Sequence, residues 1–290
     1  MSINFELFKG YRDDVTLAYG PVLCTVRAVE SYLKKSLKPS DVKHLEEAFA
    51  KIPEQCLMGN NMNPQFDHRG IVTLASYPVW RTLWTMDSLK NHGSPLKPNG
   101  VSGLVMTSDR KFVAMKRSSK NDRNKSELGC VAGFMRALSN GNITSITTLA
   151  KACFQEEMQG EIGVLPEETK SINLLGTLKL PDQNEFVLQA KIGVSSKELF
   201  KRRSEYRADH LMERDLFFLD ECQLKKLLLD SEIRGAPQHL FALASIFYGR
   251  ELPFWNDILK NIERSSYGKP SEGLEKILER LRIPYDFFEN

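Results

Sequence analysis

The stretch Ala150–Pro166, AKACFQEEMQGEIGVLP, decides how this chain is read. Phe154, Met158 and Ile162 recur every four residues, the spacing of an apolar stripe that a helix buries against a core. Thr144 or Ser145 can open that helix, and Gly163 can close it. Glu157 and Glu161 share the same spacing on a neighbouring face, one turn apart. Like charges at this separation cost an isolated helix roughly 0.2–0.5 kcal/mol. A hard divalent cation reverses the sign, because Mg²⁺ takes one or two carboxylates together with phosphate oxygens and water. Carboxylate pairs also decorate ordinary solvated helices, so the neighbourhood decides what this one does.

Towards the amino terminus, Val101–Ser108 and Phe112–Lys116 read as two strands joined by a polar turn at Asp109-Arg110. A basic loop follows, then a short apolar segment, Leu128–Phe134, containing Gly133. After the helix, Ile172–Leu180 and Phe186–Ile192 are strand-like, with Pro181-Asp182 opening the turn between them. Asp215–Asp220 is a further strand, and Leu224, Leu227 and Leu228 mark the helix behind it. Residues 1–97 form an amino-terminal α+β region. Within it, Pro39–Ile52 is an amphipathic helix capped by Ser40 or Asp41. Tyr77–Trp84, YPVWRTLW, is read first as a buried aromatic cluster, with Trp80 or Trp84 as ring partners for a base as the sharper alternative. Lys90–Gly100 has the Gly, Pro and Asn content of a linker. Residues 233–290 are expected to be a helical extension, with Leu274, Ile277, Leu278 and Leu281 on one face of its last helix.

Composition narrows the class. With 290 residues, 41% hydrophobic and 27% charged, the chain suits one large globular domain or two ordinary ones. No apolar run approaches the ~20 residues needed to span a bilayer. The start, MSINFELFKGYRDD, has neither the basic opening nor the apolar core of a signal peptide, so a soluble, cytoplasmic protein is expected. A net charge of +3 does not call for nucleic acid or a membrane as partner. Basic residues nevertheless gather at Arg110–Lys125 and again at Lys201, Arg202, Arg203 and Arg207. Both clusters are read first as solvated loops. Five dispersed cysteines form no CxxC pair, and five scattered histidines form no zinc motif. Neither GxxxxGK[ST] nor GxGxxG is present. Cys153, one turn before Glu157, is read as a small buried residue rather than a nucleophile.

Strand, strand, basic loop, glycine-containing loop, and a helix closing on Glu-Ile-Gly-Val together resemble the Nudix hydrolase superfamily over about residues 98–232. The family's box runs Gly, five residues, Glu, seven residues, then Arg-Glu-apolar-x-Glu-Glu-x-Gly-apolar. Gly133 fits its opening glycine, and Glu157, Met158, Glu161, Gly163 and Val164 fit its helical half. Departures stand at Ser139 for the first glutamate, Glu156 for the arginine and Gly160 for one of the paired glutamates. The spacer, Asn140–Gln155, has sixteen residues in place of seven.

The resemblance implies an α/β fold, an α/β/α sandwich around a mixed sheet. It also implies cleavage of a phosphoanhydride bond in a nucleoside diphosphate linked to another moiety. Mg²⁺ or Mn²⁺ would be held by Glu157 and Glu161, with Glu156 as a third donor. Glu157 or Glu213 would be the general base, and Lys116, Arg117 and Gly133 would meet a nucleotide-type substrate. Loss of the box arginine removes the ion pair that normally braces the helix carboxylates. The alternative is a module that keeps the fold and binds a nucleotide, metabolite or protein partner without turnover. Oligomeric state is left open, a homodimer included.

Overall fold

Asn99–Met106 (β5), NGVSGLVM, is buried on both faces, with Val101, Ser102, Leu104 and Val105 all at 0% exposure. A strand without a solvent side belongs in the middle of a sheet covered above and below. The structure, a computed structural model, describes residues 4–7, 18–33, 37–54, 62–66, 71–86, 98–116, 128–136, 145–179, 184–205 and 216–229. Among these, β5 is central to a mixed sheet of eight strands. Its spatial order runs Asn4–Leu7 (β1), Thr169–Lys179 (β9), Asn184–Ile192 (β10), β5, Phe112–Lys116 (β6) and Leu216–Leu219 (β11). Leu128–Gly129 (β7) pairs with β6, and Val131–Phe134 (β8) with β5. The β5–β10 pairing is parallel, Gly100 opposite Glu185; the other ladders of this sheet are antiparallel. The mixed α/β architecture expected from the strand pattern is therefore present.

Helix Ile146–Ile162, numbered α4 in chain order, lies on one face of this sheet. Ser145 caps its start, its hydroxyl accepting the Thr148 N–H at 3.1 Å, and Gly163 ends it with φ +70°. That left-handed conformation suits glycine, which has no Cβ to meet the following carbonyl. Phe154, Met158 and Ile162 are buried, with Leu149, Ala150 and Cys153 beside them. They pack on Val101, Val105, Val131, Phe186, Leu188 and Ala190 from the sheet. The predicted stripe is the one the fold buries.

A second, smaller core belongs to the amino-terminal region. Helices Val26–Leu33 (α1), Pro39–Phe49 (α2) and Tyr77–Thr85 (α3) pack through Val29, Leu45, Phe49, Val79, Trp80 and Leu83. The region's three-stranded sheet has the order Ala18–Val22 (β2), Ile71–Ser76 (β4), Met62–Phe66 (β3). The cap of α2 is Lys38 rather than Ser40 or Asp41. Pro39 takes the first helical position, and the Asp41 carboxylate accepts the Lys38 N–H at 3.3 Å. This follows from proline's fixed φ and missing N–H, which suit the first turn. The predicted linker is also shorter than its composition suggested, since Asn99 and Gly100 already pair in β5.

One buried side chain joins the two cores. The Asn63 amide donates to the carbonyls of Asn99 (2.9 Å) and Met135 (2.8 Å), and its oxygen accepts the Asn99 N–H (3.1 Å). Asn99 answers with a 2.6 Å bond to the Pro64 carbonyl, and the Trp80 indole donates to the Asn63 carbonyl at 3.0 Å. Trp80 is thus a fully buried core residue with its N–H spent, and its ring is not a platform for a base. Trp84, expected as a ring partner, and the helical extension expected at 233–290 fall outside the described side chains and residues.

Helix Ser196–Glu205 (α5) corrects the reading of Lys201, Arg202 and Arg203 as a loop. Leu199 anchors α5 in the main core, and Arg202 spends its guanidinium on Glu168 (2.6 Å) and Glu198 (2.5 Å). Arg207 lies outside the described residues. Helix Glu221–Leu229 (α6) follows β11 as predicted. No helix among the described residues is long and apolar enough to cross a membrane.

Asn63→Ala removes three buried hydrogen bonds and strands their backbone partners. The expected cost is about 2–4 kcal/mol in urea unfolding, with Asn63→Asp recovering only part of it because the donor amide is lost. A loss below about 0.5 kcal/mol would show that Asn63 does not join the cores.

Candidate functional site

Helix α4 presents its carboxylates to β8. Glu157 lies directly over Gly133, where a Cβ would overlap its carboxyl group. Glycine at 133 is therefore a steric requirement of the place Glu157 occupies. One turn on, Glu161 Oε2 accepts the Ala132 N–H at 3.0 Å. Consecutive residues of one short strand thus receive the two carboxylates, as their i, i+4 spacing permits.

Glu157 is mostly enclosed, with 13% of its side chain exposed. Burial pushes its carboxyl above the usual range, and nearby Glu156 pushes in the same direction. Arg136 works against both, its Nη2 donating to Glu157 Oε1 at 3.2 Å. Glu157 Oε2 accepts from no described residue. Sequence reasoning missed Arg136, and it corrects the expectation that loss of the box arginine leaves the carboxylates unbraced. A cation at the end of β8 supplies the ion pair that Glu156 cannot.

Cys153 lies immediately behind this pair. Its thiol donates to the Arg136 carbonyl at 3.5 Å, and its sulfur accepts the Arg136 N–H at 3.4 Å. Burial pushes the thiol up to about 11, so it is protonated at neutral pH and serves as a structural tie.

Glu156, on the adjacent helix position, is exposed. Among the described residues no three His, Cys, Asp or Glu side chains gather as a metal cluster. Gly160, at the other altered box position, has room for a Cβ, which would meet no described atom within 4 Å. Lys116 ends β6 opposite Leu128. Ser139, Arg117 and Glu213 lie outside the described residues.

No family model matches the sequence, and no curated protein does. Among solved structures, the MutT protein from Methanosarcina mazei Go1 aligns at 14% identity and a TM-score of 0.31, over 59% of this chain and 97% of that one. The Deinococcus radiodurans protein DR0079 aligns at 15% identity and a TM-score of 0.29, over 50% of this chain and 90% of that one. Both likenesses are too slight to fix fold or function. The residues themselves define an α/β protein with a helix-borne carboxylate pair seated on a glycine-containing strand.

The raised proton affinity of Glu157 has a consequence for stability. A carboxyl whose folded value exceeds its ordinary 4.5 contributes fully below that pH and loses the contribution as pH rises through the folded value. Glu157→Gln is therefore expected to melt higher than the native chain at pH 7.5, with the gap closing as pH falls towards 4.5. Equal melting curves at pH 7.5 would mean that Arg136 fully offsets the burial.

Proposed function

We propose that this chain is a Nudix-type hydrolase that cleaves a phosphoanhydride bond in a nucleoside diphosphate linked to another moiety, using Mg²⁺ or Mn²⁺. The observation that supports it is the seat of Glu157 on Gly133, with Oε2 accepting from no described residue and Glu161, one helical turn away, held by Ala132 of the same strand. The donor set fits a hard cation of the Mg²⁺ kind, which needs only one or two protein carboxylates when phosphate oxygens complete its shell. When bound, such a cation offsets the diphosphate charge and acidifies a coordinated water.

The chain's own residues divide the remaining work. Glu157 Oε2 and Glu161 would hold the cation, while Arg136 fixes Glu157 through its other oxygen. Gly133 leaves the space in which the Glu157 carboxyl sits. Glu157 and Glu213 are the candidates for general base. Lys116, the last residue of β6, and Arg117, next in sequence, are assigned to the substrate phosphates. The second reading, a binding module without turnover, is favoured by the altered box positions Ser139, Glu156 and Gly160, which take two glutamates and the arginine from the box.

Product formation with Mg²⁺ or Mn²⁺ across dinucleotides, nucleotide sugars and nucleoside triphosphates tests the hydrolase. Turnover is expected to require metal and to fall by about a hundredfold or more in Glu161→Gln, since removing a metal-holding carboxylate forfeits several kcal/mol of transition-state stabilisation. Metal-independent turnover, or turnover unchanged in that variant, would sink the assignment. Nucleotide-dependent thermal stabilisation without turnover would favour the binding module.

A further inference from the structure

Arg136 is pinned at its backbone and open at its tip. Met135, just before it, is fully buried, donates its N–H to the Asn99 carbonyl at 2.9 Å and accepts the Asn63 amide. Arg136 itself exchanges two contacts with Cys153 on α4. The side chain that leaves this fixed point is half exposed, at 49%, and its one partner among the described residues is Glu157, through Nη2. A guanidinium carries five N–H donors in a planar fork, so most of them have no acceptor among the described residues. Arg202 makes the contrast, with both terminal nitrogens committed to Glu168 and Glu198.

We infer that Arg136 is a phosphate-binding residue of the carboxylate site, holding Glu157 with one nitrogen and a substrate phosphate oxygen with the others. This rests on the reading of the site as a phosphoanhydride site and adds to it a residue outside the helix. The fork geometry matches paired phosphate oxygens, and its planarity means that less rotamer entropy is lost per hydrogen bond formed. The same arginine therefore ties the position of the carboxylate to that of the anion.

The test uses the full chain, with Mn²⁺ uptake followed by electron paramagnetic resonance. Inorganic pyrophosphate is then titrated calorimetrically onto the Mn²⁺-loaded protein. Arg136→Gln is expected to weaken pyrophosphate binding by about tenfold or more, and Arg136→Lys by severalfold, because lysine keeps charge but loses the fork. Arg202→Gln should bind pyrophosphate like the native chain. Equal affinity in the native chain and Arg136→Gln, or no pyrophosphate binding by the Mn²⁺-loaded native chain, overturns the inference. If Arg136→Gln does not fold, the comparison passes to Arg136→Lys, where equal affinity has the same meaning. If the native chain takes up no Mn²⁺, the metal-dependent reading falls by itself, and the titration is made on metal-free protein. Pyrophosphate binding that depends on Arg136 would then uphold the inference, and no dependence would end it.

Discussion

The close seating of α4 on β5 and β8 is the contact on which the rest of the structure depends. Two glycines permit it. A Cβ at Gly103 would collide with the Phe154 ring and the Leu188 carbonyl, and one at Gly133 would displace the Glu157 carboxyl. Phe154, Met158 and Ile162 drive the helix into that seat, each contributing roughly 1.5–3 kcal/mol by leaving water. Because Glu157 and Glu161 follow the same four-residue period as the apolar stripe, fixing one set fixes the other. The carboxylates are placed by the hydrophobic core.

That arrangement has a cost, visible in the raised proton affinity of Glu157. Burial of an ionised carboxylate is unfavourable unless a partner compensates, and here the partner comes from another element. Arg136 sits at the end of β8, immediately after Met135, whose carbonyl Asn63 holds. A short path, hydrogen-bonded from Asn63 to Met135 and covalent from Met135 to Arg136, thus runs from the amino-terminal core to the cation that braces Glu157. In physical terms the amino-terminal region is part of the site's support. Strand β1 adds to the same connection by pairing with β9 at the edge of the main sheet.

Local pattern made the helix, its stripe, its caps and the strands β5 and β6 legible in the sequence, because periodicity and capping act over a few residues. The carboxylate pair was legible for the same reason. Arg136 was not, since its partner is 21 residues away and no period relates them. Strands β7 and β8, two and four residues long and interrupted at Cys130, are too short to show alternation. Helix α5 was hidden by its charge. SKELFKRRSE offers few apolar residues, and its burial through Leu199 is a tertiary fact. Trp80 was legible as aromatic core, but its bond to the Asn63 carbonyl, 17 residues away, was not.

Placing the cation on a strand end, and not within the helix, changes what it can reach. A helical arginine at position 156 would have had its nearest carboxylate partners one turn away on the same helix. Glu156 stands there instead, so the helix carries Glu156, Glu157 and Glu161, and among the described residues Arg136 is the cation paired with Glu157. Carboxylates so grouped would repel a diphosphate. On the proposed reading, a divalent cation is the ingredient that lets anionic protein and anionic substrate share the site, and Arg136 alone is too little charge to replace it. Moving the arginine outward exchanges a brace internal to the helix for one that contacts the carboxylate from the open side. On that reading the substrate approaches from the same side, and it is there that a guanidinium with unspent donors has most to offer.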